Sequence, residues 1–286
     1  MEKTKKLKPL YMWAGGKTKL LNQYEKYLPE KTTYSNYVEP FFGGGALYGY
    51  LSGHKKPSII NDINSELINI YHKIKDNLED FINELRVLEC EYFSKNDFNF
   101  RVLFYYEMRE KYWSLKEDTI ESSALLYFLM KTCFNGIWQT CKKSNGRFGS
   151  ARGLLKHKDR LFDYDLIKEW NSSLSNTLIS SSDYKDLIIP DNSFIFCDPP
   201  YRGSFTDYET GFGDKEQLEL IIWCRSKKEE GHKVWLCNRD IGDNFYEDNA
   251  SDAEIIKFDI TYTAGKRKKT DKGYEAKKAT DLLIIF

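Results

Sequence analysis

Asp198-Pro199-Pro200-Tyr201 brings together a carboxylate, a stiff turn and an aromatic ring, the residue types in this chain best suited to chemistry. The tetrapeptide follows the apolar run Ser193-Phe194-Ile195-Phe196-Cys197, which Pro190-Asp191-Asn192 bounds upstream. The run predicts a buried strand over Ser193–Asp198. Pro199 and Pro200 fix their own φ and donate no backbone hydrogen bond, so the turn is rigid. A carboxylate and a carbonyl then leave the carboxyl end of a strand, where open α/β sheets bind ligands. The adenine amino group is a poor nucleophile because its lone pair is delocalised into the ring. Two acceptors that each take a hydrogen bond from that amine localise the lone pair and aim it at an electrophile. Asp198 and the Pro199 carbonyl supply those acceptors, and Tyr201 supplies a face on which an extruded base could stack. The plain alternative is a proline turn with Tyr201 in the core. A chance match of the tetrapeptide is expected in roughly one in a thousand chains of ordinary composition, which favours the functional reading.

A second constellation lies near the amino terminus. Val38-Glu39-Pro40-Phe41-Phe42-Gly43-Gly44-Gly45 follows a predicted strand and opens a helix, Ala46–Leu51. Three glycines at such a turn let a ligand approach the backbone. The dinucleotide spacing G-x-G-x-x-G is not met, and no P-loop is present. Asp62 follows the first glycine by about 20 residues, the distance at which an acid accepts hydrogen bonds from ribose hydroxyls. Together they favour a nucleoside-containing cofactor over an ordinary turn. Upstream, Trp13-Ala14-Gly15-Gly16-Lys17 forms a small glycine turn before a helix. Lys17 there opposes the helix macrodipole, which leaves two readings open: a solvated lysine, or a cation kept for a carboxylate ligand.

Seven short runs predict the strands that must position these residues: Tyr37–Phe41, Ser58–Asn61, Thr177–Ser181, Ser193–Asp198, Lys233–Asn238, Ile255–Ile260 and Asp281–Phe286. Helical text between several of them is the pattern of a mostly parallel sheet with crossovers. Between the second and third runs the pattern changes. Ile63, Leu67, Ile70, Ile74, Leu78, Phe81 and Leu85 step by three and four, predicting one long amphipathic helix. Helical text follows over Arg101–Trp113 and Ile120–Lys131, and a Gly/Asn/Ser-rich section, Asn135–Gly153, interrupts it. The expected organisation is a discontinuous α/β domain over 1–62 and 176–286, with a mainly helical insertion over 63–175.

At 286 residues, 41% hydrophobic and 30% charged, the chain is long and apolar enough for a substantial core and is not disordered. Its 43 basic and 43 acidic residues cancel, so local charge has to decide any nucleic-acid partner. Six scattered cysteines lack paired or metal-ligand spacing, which argues against zinc and for a reduced interior. No apolar stretch approaches the ~20 residues that span a bilayer, so a soluble, cytoplasmic protein without membrane contact is expected.

Trp13–Lys17, Glu39–Gly45 with Asn61-Asp62, and Asp198–Tyr201 stand in an order that resembles the Dam-type DNA adenine methyltransferases. The resemblance implies a Rossmann-like methyltransferase sheet of about seven strands, with the target-recognition domain inserted where the helical text lies. It implies S-adenosyl-L-methionine as cofactor and double-stranded DNA as partner. It also leaves room for a cognate restriction endonuclease acting on the same site, not in a required complex, and needs no metal. By position, Trp13 and Lys17 look like cofactor residues, with Phe41 and Gly43 under the methionine moiety. Asp62 would hold the ribose, Asp183 the cofactor adenine, and Asp198 both cofactor and target amine. Asp198, Pro199, Pro200 and Tyr201 form the expected catalytic set, and Asn238 and the basic Lys266–Lys269 also look familial.

DNA contact is expected from Asn135, Gln139, Lys142 and Arg147, and from Arg267 and Lys268 near the carboxyl end. Lys131–Arg160 carries eight basic residues against one acid, and Thr263–Lys278 seven against two. Such local excess, interleaved with Phe134, Trp138 and Phe148, suits phosphate binding even in a neutral chain. Gln139 stands where the family often has arginine, and Arg147-Phe148-Gly149-Ser150 departs from its Asn-x-Pro-x-Gly continuation. Glutamine favours adenine where arginine favours guanine, so a GATC target is not assumed. Transfer to the cytosine amine, and a silent DNA-binding protein of the same fold, are the rivals. Serine is usual at the Asp198 position in the former, and intact Lys17, Asp62 and Asp198 weigh against the latter.

Overall fold

The computed structural model describes residues 6–13, 16–51, 56–153, 159–203, 211–262, 268–270, 273–275 and 277–286, with the backbone alone over 261–277. Its strands are β1 (Asn36–Glu39), β2 (Ser58–Asn61), β3 (Thr177–Ser180), β4 (Ser193–Cys197), β5 (Lys233–Asp240), β6 (Glu254–Tyr262), β7 (Lys268–Thr270), β8 (Gly273–Glu275) and β9 (Lys277–Ile285). Seven form one sheet in the order β3-β2-β1-β4-β5-β9-β6. The order reverses between β1 and β4, which is where a doubly wound sheet opens a ligand crevice at its carboxyl edge.

The parallel register explains what gathers at that edge. Val38 on β1 pairs with Ile195 on β4, and Cys197 pairs with Leu236 on β5. All five residues of β4 are buried, as a central parallel strand covered on both faces must be. β5, β6 and β9 run longer than their apolar runs because antiparallel pairing continues past them: Asp240 pairs with Thr280, and Thr261 and Tyr262 pair with Lys278 and Lys277. The carboxyl-terminal basic stretch is in part a β7–β8 ribbon.

The helices are α1 (Leu21–Tyr24), α2 (Ala46–Leu51), α3 (Ser65–Asp76), α4 (Leu78–Phe93), α5 (Phe98–Ser114), α6 (Ile120–Thr132), α7 (Tyr164–Leu174), α8 (Asp214–Glu229) and α9 (Phe245–Asn249). The chain divides into two compact units. The first is Met1–Tyr27, Gly43–Lys55 and Asp62–Ser181; the second is Leu28–Phe42, Lys56–Asn61 and Ser182–Phe286. In the first, α6 is buried on nearly every side and is packed by α3, α4 and α5. In the second, Val38, Ile195, Val234, Leu236 and Leu282 form the core with Leu220, Ile221 and Cys224 of α8.

The predicted long helix from Ile63 is two helices, α3 and α4, broken at Asn77 (φ −136°, ψ 41°). Asn171 of α7 gives the reason: its amide donates to the carbonyls of Ile74 (2.8 Å) and Lys75 (3.0 Å). Those carbonyls have a partner outside the helix, so the last turn can end there with its acceptors satisfied. Among the described residues, no helix is long and apolar enough to cross a membrane.

Candidate active site

The first unit carries Trp13, Lys17, Gly43 and Asp62. Asp62 organises the glycine turn: one carboxylate oxygen accepts the Gly43 N–H (2.8 Å), the other the Asn64 N–H (3.0 Å). Burial raises its pKa, and these two N–H donors oppose the shift by favouring the carboxylate. The Gly43 carbonyl accepts from the hydroxyls of Tyr11 and Tyr71, both at 3.3 Å. Gly43 has φ +49°, and a Cβ there would sit 2.7 Å from the Trp13 indole nitrogen. The space that the missing side chain leaves is thus held by Trp13, where a ligand alone was expected to approach. Lys17 is only 2% exposed at the start of a short 3-10 turn, which removes the solvated-lysine reading.

The same unit displays the expected DNA-reading segment as two antiparallel arms. Phe134 N–H donates to the Ala151 carbonyl (2.9 Å) and Gly149 N–H to that of Gln139 (2.7 Å), with a bridge between Cys133 and Arg152. Tyr105, Arg109 and Trp113 lie one turn apart along α5 and splint the second arm. Trp113 donates to the Phe148 carbonyl (2.8 Å), Arg109 to Gly149 (2.9 Å) and Tyr105 to Ser150 (2.9 Å). Asn135 is left-handed at φ 54°, and at Gly136 a Cβ would meet the Met12 carbonyl oxygen at 2.4 Å, so only glycine fits. Gln139, Lys142, Lys143 and Asn145 are exposed around the tip.

Arg147, expected to contact DNA, does not stand with them. It is 9% exposed and ion-paired through Nε with Glu66. Its other nitrogens donate to the carbonyls of Tyr112 (2.6 Å) and Leu115 (2.9 Å) and to the Ser122 hydroxyl (3.2 Å), with the Tyr112 ring 4.0 Å away. A guanidinium so committed is part of the core. Arg267 lies outside the described residues, and Lys268 begins β7.

The second unit carries Phe41, Asp183 and the Asp198–Tyr201 turn. β4 ends one residue short of the prediction, so Asp198 stands just off the strand and is half-buried, while every residue of β4 is buried. Tyr201 is buried, with the Arg239 guanidinium 5.8 Å from its ring. Phe41 packs on Tyr184 (5.2 Å) and Phe212 (5.8 Å), and the Tyr184 hydroxyl is buried without a hydrogen-bond partner among the described residues. Asp183 is exposed and accepts the Lys185 N–H at 2.9 Å.

Two buried amides at this edge went unassigned in the sequence. Asn61 ends β2 and donates to the carbonyls of Pro40 and Ser182, both at 3.0 Å, tying the segments that follow β1 and β3. Its place as the polar residue closing an apolar run was a legible signal. Gln217 on α8 donates to the Pro200 carbonyl at 2.7 Å, and nothing in its charged neighbourhood marks it.

Known proteins are similar along most of this chain. The Type II methyltransferase M.MjaIII of Methanocaldococcus jannaschii is 33% identical over 298 residues, covering 98% of this chain and 99% of its own. The DNA adenine methylase of Haemophilus influenzae is 27% identical over 82% of this chain and 80% of its own length. The DNA adenine methylase of Escherichia coli is 26% identical over 94% of each. Residues 13–264, most of the sheet and the whole helical region, match one family throughout, and the chain belongs to the D12 class N6 adenine-specific DNA methyltransferases.

Proposed function

We propose that this chain transfers a methyl group from S-adenosyl-L-methionine to the exocyclic amine of an adenine flipped out of double-stranded DNA, by direct displacement. The observation that carries the reading is Asp198, half-buried just past the wholly buried β4 and beside the β1–β4 reversal of strand order. The Asp198 carboxylate and Pro199 carbonyl accept the two amine hydrogens, localise the lone pair and stabilise the positive charge that grows on nitrogen. Alignment does most of the remaining work. The proton leaves the amine after transfer through the Asp198 carboxylate, and no histidine base is called for. Tyr201, whose ring is buried in this structure, would have to swing outward to stack on the base.

The residues present fit the cofactor. Tyr184, whose buried hydroxyl has no hydrogen-bond partner among the described residues, and the exposed carboxylate of the adjacent Asp183 suit an adenine. Each Asp62 oxygen holds a single N–H and keeps a lone pair for a ribose hydroxyl. By position in the family's motifs, Trp13, Lys17, Phe41 and Gly43 are assigned to the methionine end. When bound, the cofactor supplies an electrophilic methyl on a sulfonium. Calorimetric titration with S-adenosyl-L-methionine tests this directly. Asp62→Ala should weaken binding by roughly 10- to 100-fold, the range for a hydrogen bond to a charged group. Unchanged affinity would remove Asp62 from the site.

The helical region 63–175 serves as the target-recognition domain, and it reads DNA through Gln139 and Lys142 at its exposed tip and through the part-exposed Asn135 at the base of the arms. Arg267 and Lys268 are proposed as further phosphate contacts, on the basic character of their stretch. Lys142→Ala combined with Lys143→Ala should lower the slope of log affinity against log salt by up to about 1.8, which is about 0.9 for each phosphate that is no longer neutralised. An unchanged slope, measured by fluorescence anisotropy on duplex DNA, would place the phosphate-binding lysines elsewhere.

A further inference from the structure

We infer that Gln217 is a positioning residue for methyl transfer, and that with Asn238 and Tyr246 it sets the Asp198–Tyr201 turn. The inference rests on the reading above, in which that turn grips the target amine. Prolines at 199 and 200 remove two backbone donors from the turn, so its own N–H groups cannot secure it there.

The structure secures it from both flanks with one chain of amides. Gln217 Nε2 donates to the Pro200 carbonyl (2.7 Å). Asn238 Oδ1 accepts the backbone N–H of Arg202 (3.1 Å) and of Arg239 (2.9 Å). The two side chains are joined, because Asn238 Nδ2 donates to Gln217 Oε1 (3.1 Å). The Tyr246 hydroxyl donates to the same oxygen (3.0 Å). Two donors on Oε1 fix which way the Gln217 amide faces, so that its nitrogen meets Pro200. The network takes the carbonyl of Pro200 and leaves that of Pro199 to its proposed role.

Gln217 and Asn238 are both 0% exposed. On α8, Gln217 shares the buried face of Leu220, Ile221 and Cys224, where an apolar side chain would be the ordinary choice. A buried amide network in which every side-chain nitrogen and oxygen has a partner is rigid, and rigidity is what the two acceptors need. Arg202, directly after the turn, adds a second anchor. It pairs with Asp214 (2.7 Å) and Asp243 (2.9 Å) and lies 3.7 Å from the Phe245 ring. A misplacement of about 1 Å at reacting groups lowers rate by about 100-fold.

The test is single-turnover methylation of plasmid DNA grown without adenine methylases, using methyl-labelled S-adenosyl-L-methionine at saturation, beside equilibrium binding of both substrates. Gln217→Met should lower the single-turnover rate roughly 30- to 100-fold, with both affinities within about threefold of the parent. Tyr246→Phe, which keeps the Gln217 donor but loosens it, should lower the rate about 2- to 10-fold. A lower melting temperature with an unchanged rate per folded molecule would overturn the inference. Should Gln217→Met fail to fold, Tyr246→Phe decides: a reduced rate at unchanged affinities supports positioning, and the parent rate rejects it. Asp198→Ala is run in parallel. If it is inactive while Gln217→Met turns over normally, positioning alone is wrong; if it is active, the underlying reading is wrong.

Discussion

Asp198→Ala should abolish adenine methylation, with single-turnover rates at saturating substrates falling by at least about 1,000-fold. The figure combines loss of one charge-stabilising partner, about 100- to 1,000-fold, with loss of alignment of the amine. Asp198 is half-buried immediately after a strand of five buried residues, so removing its carboxylate leaves the core of β4 intact. The variant should therefore fold normally. Asp198→Asn keeps one acceptor oxygen and should retain more activity than Asp198→Ala. Equal activity in parent and Asp198→Ala, measured by label transfer to DNA, would refute the assignment.

Arg147→Ala should destabilise the protein by about 3–5 kcal/mol, because it strands the buried Glu66 carboxylate without its partner. For a chain of this size that is a fall in melting temperature on the order of 10 °C. Adding Glu66→Gln should recover part of the loss, since a neutral amide is easier to bury unpaired. Calorimetric melting of the two single variants and the double variant completes the cycle. A variant that melted like the parent yet bound DNA weakly would restore Arg147 to the DNA-contacting set.

The strands of the sheet were legible because central parallel strands are continuous apolar runs, as in Ser193–Cys197. The Asp198–Tyr201 turn and the Asp62 turn were legible as strand ends, because an acid, prolines or nearby turn residues close each apolar run. What escaped depends on partners far along the chain. The break between α3 and α4 follows from Asn171, nearly a hundred residues beyond the carbonyls it satisfies, while the apolar periodicity runs through the break undisturbed. Arg147 sits in a basic stretch and looked like a phosphate contact, yet its counter-ion is 81 residues earlier. Gln217 lies in a charged helix, and only the fold shows that it faces Pro200. A carboxylate that closes an apolar run is visible in the sequence; the backbone partner of a buried amide is not.

The most direct measurement is the base composition of DNA from a methylation-free bacterial strain expressing this chain, digested to nucleosides and read by mass spectrometry. N6-methyladenine should appear with the parent chain and be absent with Asp198→Ala at equal levels of folded protein. Methylated cytosine in place of adenine, unmodified DNA despite abundant folded parent, or N6-methyladenine persisting with Asp198→Ala would contradict the account.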